Sequence, residues 1–248
     1  MTEELDASTV ALVTDRSRGE PAVEVKNLAR RFGASWVLRG IELEVARREV
    51  VGLLGANGSG KSTLLRIIAT LLRPHAGGAR VFGHDIGRDA LRVRALVGYL
   101  AHSPGLYDDL TARENLEFAA RMLDRHEEEI APALARVGLL SVAHRPVRGM
   151  SAGMQRRLAF ARLMLVRPRL LLLDEPYSNL DSDGITLVNE LIAEWVEEGA
   201  AALVVLHELA PAVNVLDRTV VLLDGRITPV VATRDARSAA VTCSTGVR

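Results

Sequence analysis

Two short stretches of this sequence carry residue types suited to chemistry on phosphates. The first, Gly55-Ala56-Asn57-Gly58-Ser59-Gly60-Lys61-Ser62-Thr63, follows the apolar run Glu49-Val50-Val51-Gly52-Leu53-Leu54. A helical pattern comes next, with Leu64, Leu65, Ile67 and Ile68 on one side. Strand, glycine loop and helix in that order are the setting a phosphate-binding loop requires. Glycines let backbone N–H groups turn inward around phosphate oxygens, and the positive end of the helix faces them. In that setting Lys61 reaches the β and γ phosphates of a bound nucleotide and Ser62 ligates Mg²⁺. A plain glycine-rich turn explains Gly55, Gly58 and Gly60 but not the adjoining Lys61-Ser62. Lys26 and Lys61 are the only lysines in an Arg-rich chain, so a compact ammonium stands where phosphate chemistry wants one.

The second stretch is Asp174-Glu175, which closes the run Leu170-Leu171-Leu172-Leu173. A carboxylate ending a buried strand emerges at the C-terminal edge of an open α/β sheet, where such sheets hold their ligands. Asp174 there can hold Mg²⁺ through water. Glu175, pointing elsewhere, suits a base that orients or deprotonates an attacking water. Acidic pairs after strands also serve as helix caps and turn residues. The phosphate loop upstream is what favours the catalytic reading.

The elements that must position these groups are legible from periodicity. Ile41-Glu42-Leu43-Glu44-Val45 alternates as a half-buried strand does, and Ala22-Val23-Glu24-Val25 is a second β-rich stretch. Leu170–Leu173 and Ala202–Leu206 are continuous apolar runs, as expected of parallel strands covered on both faces. A helix carrying Leu187, Leu191, Ile192 and Trp195 lies between them, and Val220-Val221-Leu222-Leu223 reads as a further strand. Residues 88–146 read as mostly helical, with capping-box spacing at Thr111-Ala112-Arg113-Glu114. Glu127-Glu128-Glu129 reads as a solvated helical face.

With 248 residues, 48% of them hydrophobic and 25% charged, the chain can bury one substantial core with a helical lobe inserted. Thirty-one basic residues balance thirty-one acidic ones, so no overall field draws nucleic acid. Cys243 is alone, which excludes a disulfide framework or a zinc cluster and fits a reducing cytoplasm. No apolar run approaches the ~18 residues of a membrane span, so membrane work requires a partner. Residues 1–21 read as a flexible lead-in and 233–248 as a flexible tail, around one domain at 22–232 that holds the phosphate loop. The helical subdomain is expected at about 88–165.

Further motifs stand in a telling order. Ser151-Ala152-Gly153-Met154-Gln155 precedes the Leu-Asp-Glu run, Ser178-Asn179-Leu180-Asp181 follows it, and His207 lies after the next strand. Together with the phosphate loop, these resemble the ATP-binding subunit of an ABC transporter over roughly Val23 to Ile227. The resemblance implies a P-loop NTPase of the α/β class, with a RecA-like core sheet, an N-terminal antiparallel β subdomain and an inserted α-helical subdomain. It implies that Ser151–Gln155 is the signature, capping ATP held by the phosphate loop of a second copy in a head-to-tail homodimer or pair. Ser178–Asp181 matches the D-loop, and His207 the switch histidine that contacts the γ phosphate. Phe32 matches the aromatic on which adenine stacks, with Trp36 as second choice. The implied partners are ATP, Mg²⁺ and transmembrane permease subunits at the cytoplasmic face of the cell membrane. Ser103 to Asp109 is the segment that meets a helix of the permease.

His102 departs from the family, which places Gln after a strand in the slot that senses Mg²⁺ and the membrane partner. A neutral imidazole can accept a hydrogen bond from metal-bound water and an imidazolium cannot, so turnover is expected to fall at mildly acid pH. Tyr99-Leu100-Ala101-His102, Tyr107, Leu110-Thr111-Ala112-Arg113-Glu114-Asn115-Leu116 and Met150-Ser151-Ala152-Gly153 resemble the ATPase of the haem exporter of cytochrome c maturation. The competing readings are another exporter ATPase for drugs, lipids or polysaccharide, a soluble ABC-type ATPase of DNA repair or translation, and a nucleotide-binding regulator that does not hydrolyse. No long insertion or duplication favours the soluble ATPase, and Glu175 with His207 speaks against the regulator.

Overall fold

A computed structural model describes residues 20–230. The lead-in to residue 19, the tail from 231 and Cys243 lie outside the described residues.

The chain opens with β1 (Val23–Phe32) and β2 (Ser35–Val45), a hairpin, then β3 (Val50–Leu54) and α1 (Lys61–Ile68). β4 (Ala76–Val81), β5 (His84–Asp85), α2 (Ala90–Leu96) and β6 (Val97–Leu100) follow. Next come α3 (Ala112–Met122), α4 (Ile130–Arg136) and α5 (Ala152–Val166). β7 (Leu170–Asp174), α6 (Ser182–Glu197), β8 (Ala201–Val205), β9 (Arg218–Leu223) and β10 (Arg226–Val230) complete the described chain.

These strands form two sheets. The antiparallel sheet has the order β2-β1-β4-β5, and the six-stranded sheet the order β10-β9-β3-β8-β7-β6. Within the larger sheet β9, β3, β8, β7 and β6 are parallel, with β10 antiparallel at one edge. The α/β architecture with a parallel core sheet and an N-terminal antiparallel sheet is the expected one.

The Leu run of β7 shows why its pattern is unbroken. Leu171 and Leu173 face a core shared with Phe160 and Leu163 of α5 and Ile192 of α6, while Leu170 and Leu172 face one shared with Leu64 and Ile68 of α1. A parallel strand covered on both sides has no solvent face on which polar residues could alternate. By contrast, Glu42 and Glu44 of β2 are exposed and Ile41, Leu43 and Val45 are buried, as one-sided packing demands.

The stretch 88–165 is not helical throughout. Val97–Leu100 forms β6, paired in parallel with Leu170–Leu173, so the core sheet extends through the start of that span. The helices beyond it, α3 to α5, pack with one another through Leu116, Ile130, Leu134 and Phe160. α3 starts as its sequence predicts: Thr111 Oγ1 accepts from the Glu114 N–H, and the Glu114 carboxylate accepts from the Thr111 N–H. Glu127–Glu129 form a short 3-10 turn in which Glu127 pairs with Arg113 and Glu129 with Arg167.

Candidate nucleotide site

The phosphate loop links β3 to α1, and its geometry explains its glycines. Gly60 has φ +108°, and a Cβ there would lie 2.7 Å from Val37 Cγ1. Gly55 has φ +150°, and a Cβ there would lie 2.5 Å from the Leu222 carbonyl oxygen. Neither position accepts a side chain. α1 has no side-chain cap and no acidic residue in its first turn, so its N–H groups stay open to an anion. Lys61 Nζ donates back across the loop to the carbonyls of Gly55 at 2.7 Å and Ala56 at 3.0 Å. Burial works to lower the Lys61 pKa and outweighs the opposing pull of Glu175 and Asp174.

A cleft of about 480 Å³ runs along this loop, lined by Val37, Asn57, Gly58, Gly60, Lys61, Ser62, Thr63, His102, Glu175 and His207. Five separated segments of sequence thus converge on one space. Val37 carries no chemical signal in the sequence, and only the fold reveals its place in the lining.

Asp174 and Glu175 diverge, as expected, and the backbone shows how. Asp174 ends β7 at 1% exposure, whereas Glu175 takes a positive φ of 53° and turns its side chain into the cleft. A left-handed conformation at a residue with a Cβ stores strain of about 1–3 kcal/mol, of the kind found at functional sites. His207, two residues past β8, brings Nε2 to 2.5 Å from Glu175 Oε1. His102, past β6, brings Nδ1 to 3.1 Å from Oε2, and Ser178 Oγ donates to Oε2 at 3.4 Å. Burial works to raise the Glu175 pKa. The hydrogen bond from His207 and the charges of His207 and His102 outweigh it and hold the carboxyl below its ordinary value.

Both carboxylate oxygens of Asp174 are buried without a hydrogen-bond partner among the described residues. An unsatisfied buried carboxylate beside a phosphate loop is a donor set for a hard cation, and Ser62 adds a hydroxyl in the cleft. These residues fit Mg²⁺.

Residues 151–155 and 178–181 lie against each other and outside the residues that line the cleft of their own chain. Ser151 caps α5, its Oγ accepting from the Met154 N–H at 3.2 Å. Ser151 and Ala152 are exposed, while the Gln155 amide turns inward and donates to the carbonyls of Val147 at 3.2 Å and Met150 at 3.4 Å. Gly153 packs on the Asn179 carbonyl, and the Arg157 guanidinium pairs with Asp181, which caps α6 through the Gly184 N–H. Leu180 packs on the adjoining core. Phe32 is likewise absent from the cleft lining. It stands half-exposed at the tip of the β1–β2 hairpin, with the Arg30 guanidinium 4.9 Å from its ring centre. Trp36, also half-exposed, meets the Arg31 guanidinium and the edge of His75.

Comparison with known proteins accounts for this combination. Residues 38–178 match the model of the ABC transporter family. The chain belongs to that family. A cytochrome c biogenesis ATP-binding export protein, CcmA, of Xanthomonas axonopodis pv. citri is 41% identical over 82% of this chain and 94% of its own length. The daunorubicin resistance ATP-binding protein DrrA3 of Streptomyces coeruleorubidus is 37% identical over 84% of this chain and 67% of its own. A solved ATP-binding subunit of an ABC transporter superposes with a TM-score of 0.79 at 31% identity, covering 87% of this chain and 92% of its own. The ABC ATP-binding family are ATPases, and this chain is an ATP-binding subunit of that kind. Among the described residues no helix is long and apolar enough to cross a membrane.

Proposed function

We propose that this chain binds and hydrolyses ATP to drive a transmembrane permease by pairing with a second copy. The observation that carries the proposal is the Glu175 carboxylate, bonded to the His207 imidazole and flanked by that of His102 in the cleft that the phosphate loop lines. Gly55, Ala56, Asn57, Gly58, Ser59, Gly60 and Thr63 cradle the phosphates with their N–H groups. Lys61 meets the β and γ phosphates. Glu175, ionised at neutral pH, orients and deprotonates the attacking water, and His207 both contacts the γ phosphate and fixes Glu175. Ser62 and Asp174 hold Mg²⁺, which when bound neutralises charge on the phosphates. Phe32 offers its ring to adenine.

Ser151 and the Gly153 N–H approach the γ phosphate of the other copy from the N-terminus of α5. Two-fold symmetry makes both composite sites at once. Residues 178–181 accompany the signature to that interface, since Gly153 and Arg157 contact them. A cleft of about 270 Å³ lined by Tyr107, Phe118, Met122 and Leu123 lies beside the 103–109 segment and suits a helix of the permease. The complex then sits peripherally at the cytoplasmic face of the membrane.

Haem export for cytochrome c maturation is the substrate reading that Ala152, His102 and the CcmA relatives support. Drug export is the second reading, supported by the daunorubicin resistance relative. Hydrolysis is tested with Glu175→Gln, which is expected to keep ATP binding and lose turnover; retained turnover refutes the assignment. Deletion of the gene separates the substrates: loss of covalently haem-bound c-type cytochromes supports haem export, and their persistence refutes it.

A further inference from the structure

Arg156 has no part in the chemistry above, yet it is 2% exposed. Burying a guanidinium is expensive unless its donors are met. No carboxylate among the described residues pairs with it at ion-pair distance. Its Nη1 donates to the Ala101 carbonyl at 3.0 Å and its Nη2 to the His102 carbonyl at 2.8 Å. Burial works to lower its pKa, against the longer-range pull of Glu175 and Asp174. A buried cation thus clasps two consecutive carbonyls of a loop whose imidazole touches Glu175.

The placement gives the clasp meaning. Arg156 stands on α5 little more than one turn beyond Ser151, so it moves with the signature. The His102 side chain is 66% exposed, and it owes its aim to its backbone rather than to surrounding packing. An ionised carboxylate only accepts hydrogen bonds, so His207 Nε2–H donates to one Glu175 oxygen, while the His102 imidazole stands against the other with Nδ1 at 3.1 Å. With an imidazole against each oxygen, the turn of the carboxylate is limited.

We infer that Arg156 is a positioning residue for hydrolysis: it ties the signature helix to the 101–102 carbonyls and, through the His102 imidazole, fixes the alignment of Glu175. The inference rests on the ATPase reading above. Its consequence is that the seating of α5 against the other copy's nucleotide reaches this subunit's own water-activating group.

The test uses purified full-length protein, with Mg·ATP hydrolysis and binding of a fluorescent ATP analogue measured separately. Misplacement by about 1 Å costs on the order of 10²-fold in rate, so His102→Ala is expected to lower kcat tenfold or more with KM and analogue binding unchanged. His102→Gln keeps an N–H donor and recovers most of the loss. Arg156→Met lowers kcat comparably, and Arg156→Lys, which keeps a cationic donor, lowers it less. The deciding result is the double variant His102→Ala/Arg156→Met, which falls no further than His102→Ala alone. A merely structural arginine multiplies the two losses and reduces the number of analogue-binding sites. Multiplying losses, or wild-type kcat in His102→Ala, overturns the inference while hydrolysis abolished by Glu175→Gln leaves the ATPase reading standing. Absence of hydrolysis by the unaltered chain overturns both.

Discussion

Replacing Gly153 by Ala tests whether the contact between residues 151–155 and 178–181, the proposed signature and D-loop, is functional spacing or ordinary packing. A Cβ at this position would lie 2.8 Å from the Asn179 carbonyl oxygen. Ordinary contact begins at 3.4 Å, so helix and loop must part by about 0.6 Å. The obstacle is backbone, so no rotamer change relieves it. Two effects on stability oppose each other. Overpacking costs about 1–3 kcal/mol, and Ala in place of a helical Gly returns about 1 kcal/mol. The net loss is then about 0–2 kcal/mol, a fall in Tm of roughly 0–8 °C for a domain of this size. Activity is the more sensitive readout, because a displacement approaching 1 Å at a reacting centre costs on the order of 10²-fold. We expect kcat at least about tenfold lower, with ATP binding by the isolated chain unchanged. Calorimetry and a phosphate-release assay measure the two arms. Wild-type turnover in Gly153→Ala, or a Tm loss well above 8 °C with unchanged turnover per folded molecule, refutes the reasoning.

Two further outcomes follow from other parts of the molecule. Phe32→Ala is expected to raise the KM for ATP several-fold with little change in kcat, and Trp36→Ala to do less; the reverse order in a titration with both variants makes Trp36 the adenine platform. The Asp85 carboxylate accepts from the N–H groups of Arg88 at 3.0 Å and Gly87 at 2.9 Å. These bonds, Arg88 first, hold its pKa below the usual aspartate value against the burial that works to raise it. A depressed folded pKa stabilises above the unfolded value of about 3.9 and loses that contribution as pH falls through the folded one. The Tm gap between wild type and Asp85→Ala is therefore full at neutral pH and closes below about pH 4. A gap that stays constant into strong acid assigns it to packing.

Much of the fold was legible because periodicity follows from burial. The unbroken Leu170–Leu173 run and the alternating Ile41–Val45 segment announced two-faced and one-faced strands, and the structure has them. The Gly55–Thr63 turn was legible because glycines with an adjoining Lys-Ser between a strand and a helix have few other uses, and the structure sets it between β3 and α1 with Gly55, Gly58 and Gly60 at positive φ. Val97–Leu100 forms a four-residue strand inside a span whose pattern reads as mostly helical. Length alone gives so short an element little weight against its neighbours.

Within the site, no residue pattern predicts that Glu175 adopts a left-handed backbone, or that His102 and His207 meet on its two oxygens. Those contacts come from the strand order, which places β6 and β8 on either side of β7. Arg156 did leave a trace. It stands in helical register with Ala159, Phe160 and Leu163, all buried, and a charged residue on the apolar side of a helix calls for a partner. The sequence could not name that partner, because it is main-chain carbonyl rather than a side chain.

The claim that one copy's phosphate loop and another's signature share each ATP is tested most directly by mixing two inactive variants. Lys61→Ala disables the loop and Ser151→Arg disables the signature, so neither pairs with itself productively. In a mixed pair one site carries both lesions and the other carries none. The account predicts that mixing equal amounts restores ATPase activity to about a quarter of wild type, since half the pairs are mixed and each has one intact site. A mixture no more active than the mean of its two components contradicts it.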